Sequence, residues 1–144
     1  MEHYYPFGMA DEAAEQGALI DTYAVISIQD SHTGGFGVRF AENRFCKGVL
    51  TLIFDDIVTE VNGAVLFDDD MADHIIDFIE EHKAIVDTLL VHCYAGQSRS
   101  RAVGAFAVEM LGGDNSKYFE EGSPNQYIYD VLESAWVRRQ LSKM

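Results

Sequence analysis

One run of the chain combines the residue types and spacing needed for covalent chemistry: His92-Cys93-Tyr94-Ala95-Gly96-Gln97-Ser98-Arg99-Ser100. It lies between a strand-like stretch, Thr88 to Cys93, and an apolar helical one, Arg101 to Leu111. A short loop passing from a strand end into a helix start turns its successive N–H groups inward and makes a nest for a tetrahedral anion. Gly96 permits the backbone path that a side chain would oppose, and Arg99 at the helix entry can fork two N–H groups onto two anion oxygens. Cys93 then faces the centre of the anion. Its thiolate is the reactive form, which a helix N-terminus, inward amides and a nearby cation all favour. A lone cysteine would read as an inert buried residue, and a lone arginine as the partner of a surface carboxylate. Here His, Cys, Gly, Arg and Ser coincide at the carboxyl edge of a parallel strand, where open α/β sheets bind ligands. Cys93 is therefore read as a nucleophile.

The run HCYAGQSRS resembles the active-site loop of the cysteine-dependent protein tyrosine and dual-specificity phosphatases, HCxxGxxR followed by Ser or Thr, and looks like a small bacterial or phage-type member. The similarity extends over roughly residues 48–135, whereas the first 45 residues match loosely. The resemblance implies a three-layer α/β domain with a small, mostly parallel central sheet flanked by helices. It implies that Cys93 attacks phosphorus, and that Arg99 with the loop positions Tyr94, Ala95, Gly96, Gln97 and Ser98 holds the phosphate oxygens. It further implies that His92 orders the loop and that Ser100 donates to the cysteine sulfur as it leaves. The expected substrates are phosphate monoesters on protein, phosphotyrosine first and phosphoserine or phosphothreonine second, or a small phosphate ester, with no cofactor and no metal. Tyr94 either lines the pocket mouth and stacks on a phenyl ring or packs outward. No lysine stands at Tyr94, Ala95 or Gln97, which weighs against a phosphoinositide.

A departing alkoxide is too basic to leave unaided at neutral pH, so a carboxylic acid must reach it from another loop. The apolar strand Gly48 to Phe54 runs directly into Asp55-Asp56 at the same sheet edge. By resemblance the acid is Asp56, a few dozen residues before Cys93, with Asp55 the second candidate. Asp68, Asp69 and Asp70 compete for the role, but their place at a helix start accounts for them. Cys46 could close a reversible disulfide onto an oxidised Cys93, although a buried free cysteine is the commoner outcome. His74 and His82 are too far apart on one helix to clamp a metal, and His3 and His32 have no partners in view; all four read as solvated.

The surrounding elements follow from periodicity. Residues 23–28, 48–54 and 88–93 read as buried strands, the stretch Gln29 to Gly37 as a loop, and the alternation with helices as a parallel α/β fold. A helix begins in the run Asp68-Asp69-Asp70, with Met71, Ile75, Phe78 and Ile79 on one face. The segment Arg101 to Leu111 is apolar all round, as expected of a helix packed on every side, and Gly112-Gly113 can end it in left-handed geometry. Ser123, Pro124 and Gln126 predict the cap, first turn and capping box of the last helix.

At 144 residues and with no linker or repeat, one domain spanning residues 1–144 is expected. No stretch is apolar enough for a membrane span and no basic leader is visible. Two cysteines make no disulfide framework, so a cytoplasmic location and a monomer are the default expectations. The 24 acidic against 10 basic residues give a net charge of −14, which opposes nucleic-acid and anionic-membrane partners. Arg99 and Arg101 are the only basic residues between Lys83 and Lys117, so cationic capacity is concentrated at one loop. The same field should favour phosphosites flanked by neutral or basic residues. Rival readings are a rhodanese-type sulfurtransferase, a phosphatase of a nucleotide or RNA 5′ end, and a non-catalytic module that binds phosphate.

Overall fold

Two of the apolar runs have no polar face, and both become central strands of a sheet. The computed structural model describes residues 3–5, 22–31, 45–93 and 98–143. Along the chain these form β1 (His3–Tyr5), β2 (Tyr23–Gln29), β3 (Cys46–Ile53), α1 (Asp69–His82), β4 (Thr88–His92), α2 (Arg99–Met110), α3 (Ser116–Glu120) and α4 (Gln126–Ser142). The sheet order is β1-β4-β2-β3 and every pairing is parallel. All residues of β2 and β4 are buried, as continuous apolar strands covered on both faces should be. β3, at the edge, is only partly buried.

Alternation along β2 and β4 separates two cores. Ala24, Ile26, Ile28, Leu89 and Val91 face the helices and join Ile75, Ile79, Ala102, Phe106, Ile128 and Leu132. Tyr23, Val25, Leu90 and Cys46 form a second cluster on the other face. α2 is the hub of the first core: Arg99 through Val108 are all buried. It stops in a Schellman motif, with Gly113 N–H donating to Val108 O at 2.8 Å and Gly112 N–H to Glu109 O at 3.0 Å. Gly112 has φ +84°, a conformation that costs glycine nothing.

The periodicity-derived elements stand with informative shifts. β3 starts at Cys46 rather than Gly48, because a register shift between Tyr23 and Ala24 takes up Lys47 as an extra residue. Phe54 falls just beyond it, though its N–H still donates to Gln29 O at 3.1 Å. α2 begins at Arg99, not Arg101, so Arg99 and Ser100 are helical. α1 is capped by Asp68, whose carboxylate accepts from Met71 N at 2.9 Å. The last helix departs most from expectation: its cap is Asn125, not Ser123, with Ile128 N–H donating to Asn125 Oδ1 at 3.1 Å. β1 and α3 are too short to leave a periodic signal. Among the described residues no helix is long and apolar enough to cross a membrane.

Candidate active site

The carboxyl ends of β2, β3 and β4 meet the N-termini of α2 and α4, and the polar residues of interest gather there. Cys93 follows β4 on the helix-facing side, 2% exposed. Ser100, in the first turn of α2 and fully buried, sets its Oγ 3.3 Å from Cys93 Sγ. Against a thiolate, that hydroxyl is the donor. His92 points to the opposite face, where its Nε2 lies 2.7 Å from Ser27 Oγ, and Gln29 Nε2 donates to the same oxygen at 2.8 Å. This buried trio ties β4 to β2 directly beneath the cysteine. The loop positions Tyr94, Ala95, Gly96 and Gln97 lie outside the described residues, as does His32.

Arg99 is buried and oriented by one nitrogen. Its Nη1 donates to Phe54 O at 3.0 Å and to the carboxylate of Asp30, which follows β2. Among the described residues Nε and Nη2 make no hydrogen bond, so one edge of the guanidinium remains for a bidentate ligand. Asp30 had no signal in the sequence, because only the fold brings it to Arg99. Arg101, two residues on, is also buried, and the chain after α3 crosses it so closely that a Cβ on Gly122 would stand 2.1 Å from Arg101 Nε. Burial pushes the nearby Tyr118 phenol up to about 12, while the Arg101 charge opposes the rise.

Asp55 and Asp56 are adjacent in sequence and separate in use. Asp55 closes the base of its own loop: Ser31 Oγ donates to Oδ2 at 2.5 Å, Val65 N–H to Oδ2 at 2.7 Å and Ser31 N–H to Oδ1 at 3.1 Å. Its own N–H donates to Val65 O at 2.8 Å, and the Phe54 and Phe67 rings pack beneath with centroids 4.8 Å apart. Asp56 instead is exposed and faces the residue before Arg99. Ser98 Oγ donates to its Oδ1 at 2.7 Å and Asn125 Nδ2 at 2.8 Å. Ser98, expected as a phosphate-binding position, thus turns its hydroxyl toward Asp56. Asn125 is the neighbour of Asp56 that sequence reasoning passed over, although it stood in the run already read as a helix start.

The other candidates are elsewhere. Asp68 caps α1, and Asp69 lies 3.4 Å from Arg138, more than three turns of α4 and roughly 20 Å from Asn125. Cys46 is level with Tyr23 and Thr88, so it lies about five residues, or roughly 16 Å, along the strand direction from Cys93. A disulfide needs Cα atoms within about 7 Å. His74 is exposed as expected, whereas His82 is half-buried, its Nδ1 donating to Phe78 O at 2.8 Å and its ring lying over Gly48. Among the described residues no group of three His, Cys, Asp or Glu forms a metal site.

No protein-family model matches the sequence, and no curated protein matches it significantly. Solved structures do match. The human tyrosine phosphatase-like serine/threonine/tyrosine-interacting protein is 19% identical with a TM-score of 0.58, over 90% of this chain and 83% of that one. Tk-PTP in the active form is 21% identical with a TM-score of 0.57, over 88% and 83%. Human DUSP28 is 17% identical with a TM-score of 0.56, over 94% and 90%. The architecture is therefore the three-layer α/β fold of protein tyrosine and dual-specificity phosphatases, with a small parallel sheet flanked by helices.

Proposed function

We propose that residues 1–144 form one cysteine-dependent phosphatase domain that hydrolyses phosphate monoesters on phosphorylated protein or small phosphate esters. The observation that carries this reading is the meeting, at one sheet edge, of Cys93 with Ser100 at 3.3 Å and of Asp56 with Ser98 at 2.7 Å, the residue before Arg99. Cys93 Sγ attacks phosphorus opposite the ester oxygen; the S–P bond forms as the P–O bond breaks, and the leaving oxygen takes a proton from Asp56. Water then attacks phosphorus and gives a proton back to Asp56, while sulfur leaves as thiolate, stabilised by the Ser100 hydroxyl. Arg99 and the loop amides neutralise the equatorial oxygens, the main demand of phosphoryl transfer. His92, held by Ser27, keeps the loop origin fixed.

Asp56 is preferred to Asp55 because three donors already occupy the Asp55 carboxylate. The net charge of −14 favours phosphosites with neutral or basic flanks and disfavours nucleic acid and anionic membrane. A monomer in a reducing cytoplasm suits a buried, reduced Cys93. The test is hydrolysis of p-nitrophenyl phosphate in EDTA. Wild type should turn over and be inhibited by vanadate, and Cys93→Ser should lose at least about four orders of magnitude while still binding phosphate. Turnover surviving in Cys93→Ser would overturn the mechanism. A second reading, a phosphate-binding module without turnover, draws on the fold of the human phosphatase-like interacting protein. An inert wild type that still binds phosphate would favour it.

A further inference from the structure

Asn125 is 7% exposed, and every polar atom of its side chain is committed. Its Oδ1 accepts from Ile128 N at 3.1 Å and so caps α4. Its Nδ2 donates to Asp56 Oδ1 at 2.8 Å and to Ile57 O at 3.2 Å. Its backbone N–H donates to Ser98 O at 3.1 Å. The amide cannot be turned over: a flip would set Nδ2 against the N–H of Ile128 and Oδ1 against two oxygens. One residue thus joins the α4 N-terminus, the acid loop and the residue that enters α2.

The consequence for Asp56 concerns the position of a proton. Its Oδ1 receives two donors, Ser98 Oγ–H and Asn125 Nδ2–H, which occupy both lone pairs of that oxygen. When the carboxyl is protonated, the proton must therefore sit on Oδ2, which has no hydrogen-bond partner among the described residues. We propose that Asn125 is a positioning residue for the general acid, which holds Asp56 by Oδ1 so that its proton is carried on, and delivered from, Oδ2. This rests on the phosphatase reading above and adds to it a residue that never touches substrate. The cap fixes the amide, and the amide fixes the acid.

Asn125→Ser and Asn125→Asp separate the two tasks, since both keep an acceptor for Ile128 N–H, whereas the aspartate carboxylate cannot donate to Asp56 and the serine hydroxyl is one bond shorter than the Nδ2 it replaces. With p-nitrophenyl phosphate, whose leaving group departs readily, kcat should change less than about threefold. With an alkyl phosphate, whose leaving group needs a proton, kcat should fall about tenfold or more at nearly constant KM. In an Asp56→Ala background Asn125→Ser should cost nothing further, because its effect passes through that carboxyl. Equal losses on both substrates, or a full further loss without Asp56, would overturn the proposal and leave Asn125 as a cap alone. The phosphatase reading has its own mark of failure: a wild type without turnover abolished by Cys93→Ser would overturn both.

Discussion

α2 is polar at both ends, and the two ends follow opposite electrostatic rules. At its N-terminus each carboxylate meets donors: Asp30 meets Arg99, Asp56 meets Ser98 and Asn125, and Asp55 meets the N–H groups of Ser31 and Val65. At its C-terminus carboxylates meet each other. Tyr129 donates to Glu109 beside Glu133; burial and that bond push the Tyr129 phenol up, and burial with the Glu109 bond does the same to the Glu133 carboxyl. A helix dipole favours anions at the first end and opposes them at the second. The dianion site proposed above would need its own charges matched in advance. The distal end only needs a proton to stay in place.

The most severe way to break the matched end is Arg99→Ala. It removes the phosphate clamp proposed above, so kcat/KM should fall by about three orders of magnitude or more. It also takes the Arg99 charge away from the largely buried Asp30, which should cost on the order of 3 kcal/mol in chemical denaturation. Removing Asp30 as well should restore much of the stability and none of the activity. A double variant as unstable as Arg99→Ala would show that the pair does not contribute in this way.

The adjacent carboxylates sharpen the comparison within the matched end. Asp56→Ala should lower kcat on alkyl phosphates by about two to three orders of magnitude. Because Asp56 is exposed, the thermal midpoint should shift little. Asp55→Ala should do the reverse, costing roughly 2 kcal/mol by releasing three donors at the loop base, with a smaller kinetic effect. If Asp55→Ala proves the leaving-group-selective variant, the acid assignment passes to Asp55.

Much of this site was legible in the sequence for reasons of locality. Cys93, Arg99 and Ser100 lie within one loop and one helical turn, and the strand ending at Asp55-Asp56 runs to the same sheet edge by topology alone. Parallel strands reveal themselves by unbroken apolar runs, and α2 by burial on all sides. Asp30 and Asn125 were not legible because their partners are far along the chain: the fold makes the Asp30–Arg99 and Asn125–Asp56 pairs. The misplaced cap has the same cause. Ser123, Pro124 and Gln126 satisfy the local rules for a helix start, but Asn125 can cap and also donate to Asp56, and tertiary bonding prevails over the local pattern. Asp56 was ranked above Asp55 by resemblance alone, since loop closure and proton delivery ask for the same side chain.

The smallest expected effect lies at the mismatched end, and its sign is set by Glu133. In the folded chain burial first, then the bond to Glu109 and the charges of Glu109 and Asp130, hold its carboxyl above the ordinary value of 4.5. The folded state therefore keeps a proton that the unfolded chain has released. The stability tied to this group is fully present below about pH 4.5 and is lost as pH rises through its folded-state titration. Glu133→Gln keeps a hydrogen-bonding side chain and removes the titration, so it should be neutral in acid and mildly stabilising at pH 7. The gain should stay below about 1 kcal/mol, because the group is only half-buried and solvent screens its charge. Urea denaturation of both proteins at pH 4 and pH 7 measures the difference. A variant less stable than wild type at pH 7 would mean that the Tyr129 hydroxyl, which opposes the rise, outweighs the neighbouring carboxylates, and the contrast between the two ends of α2 would fail at that residue.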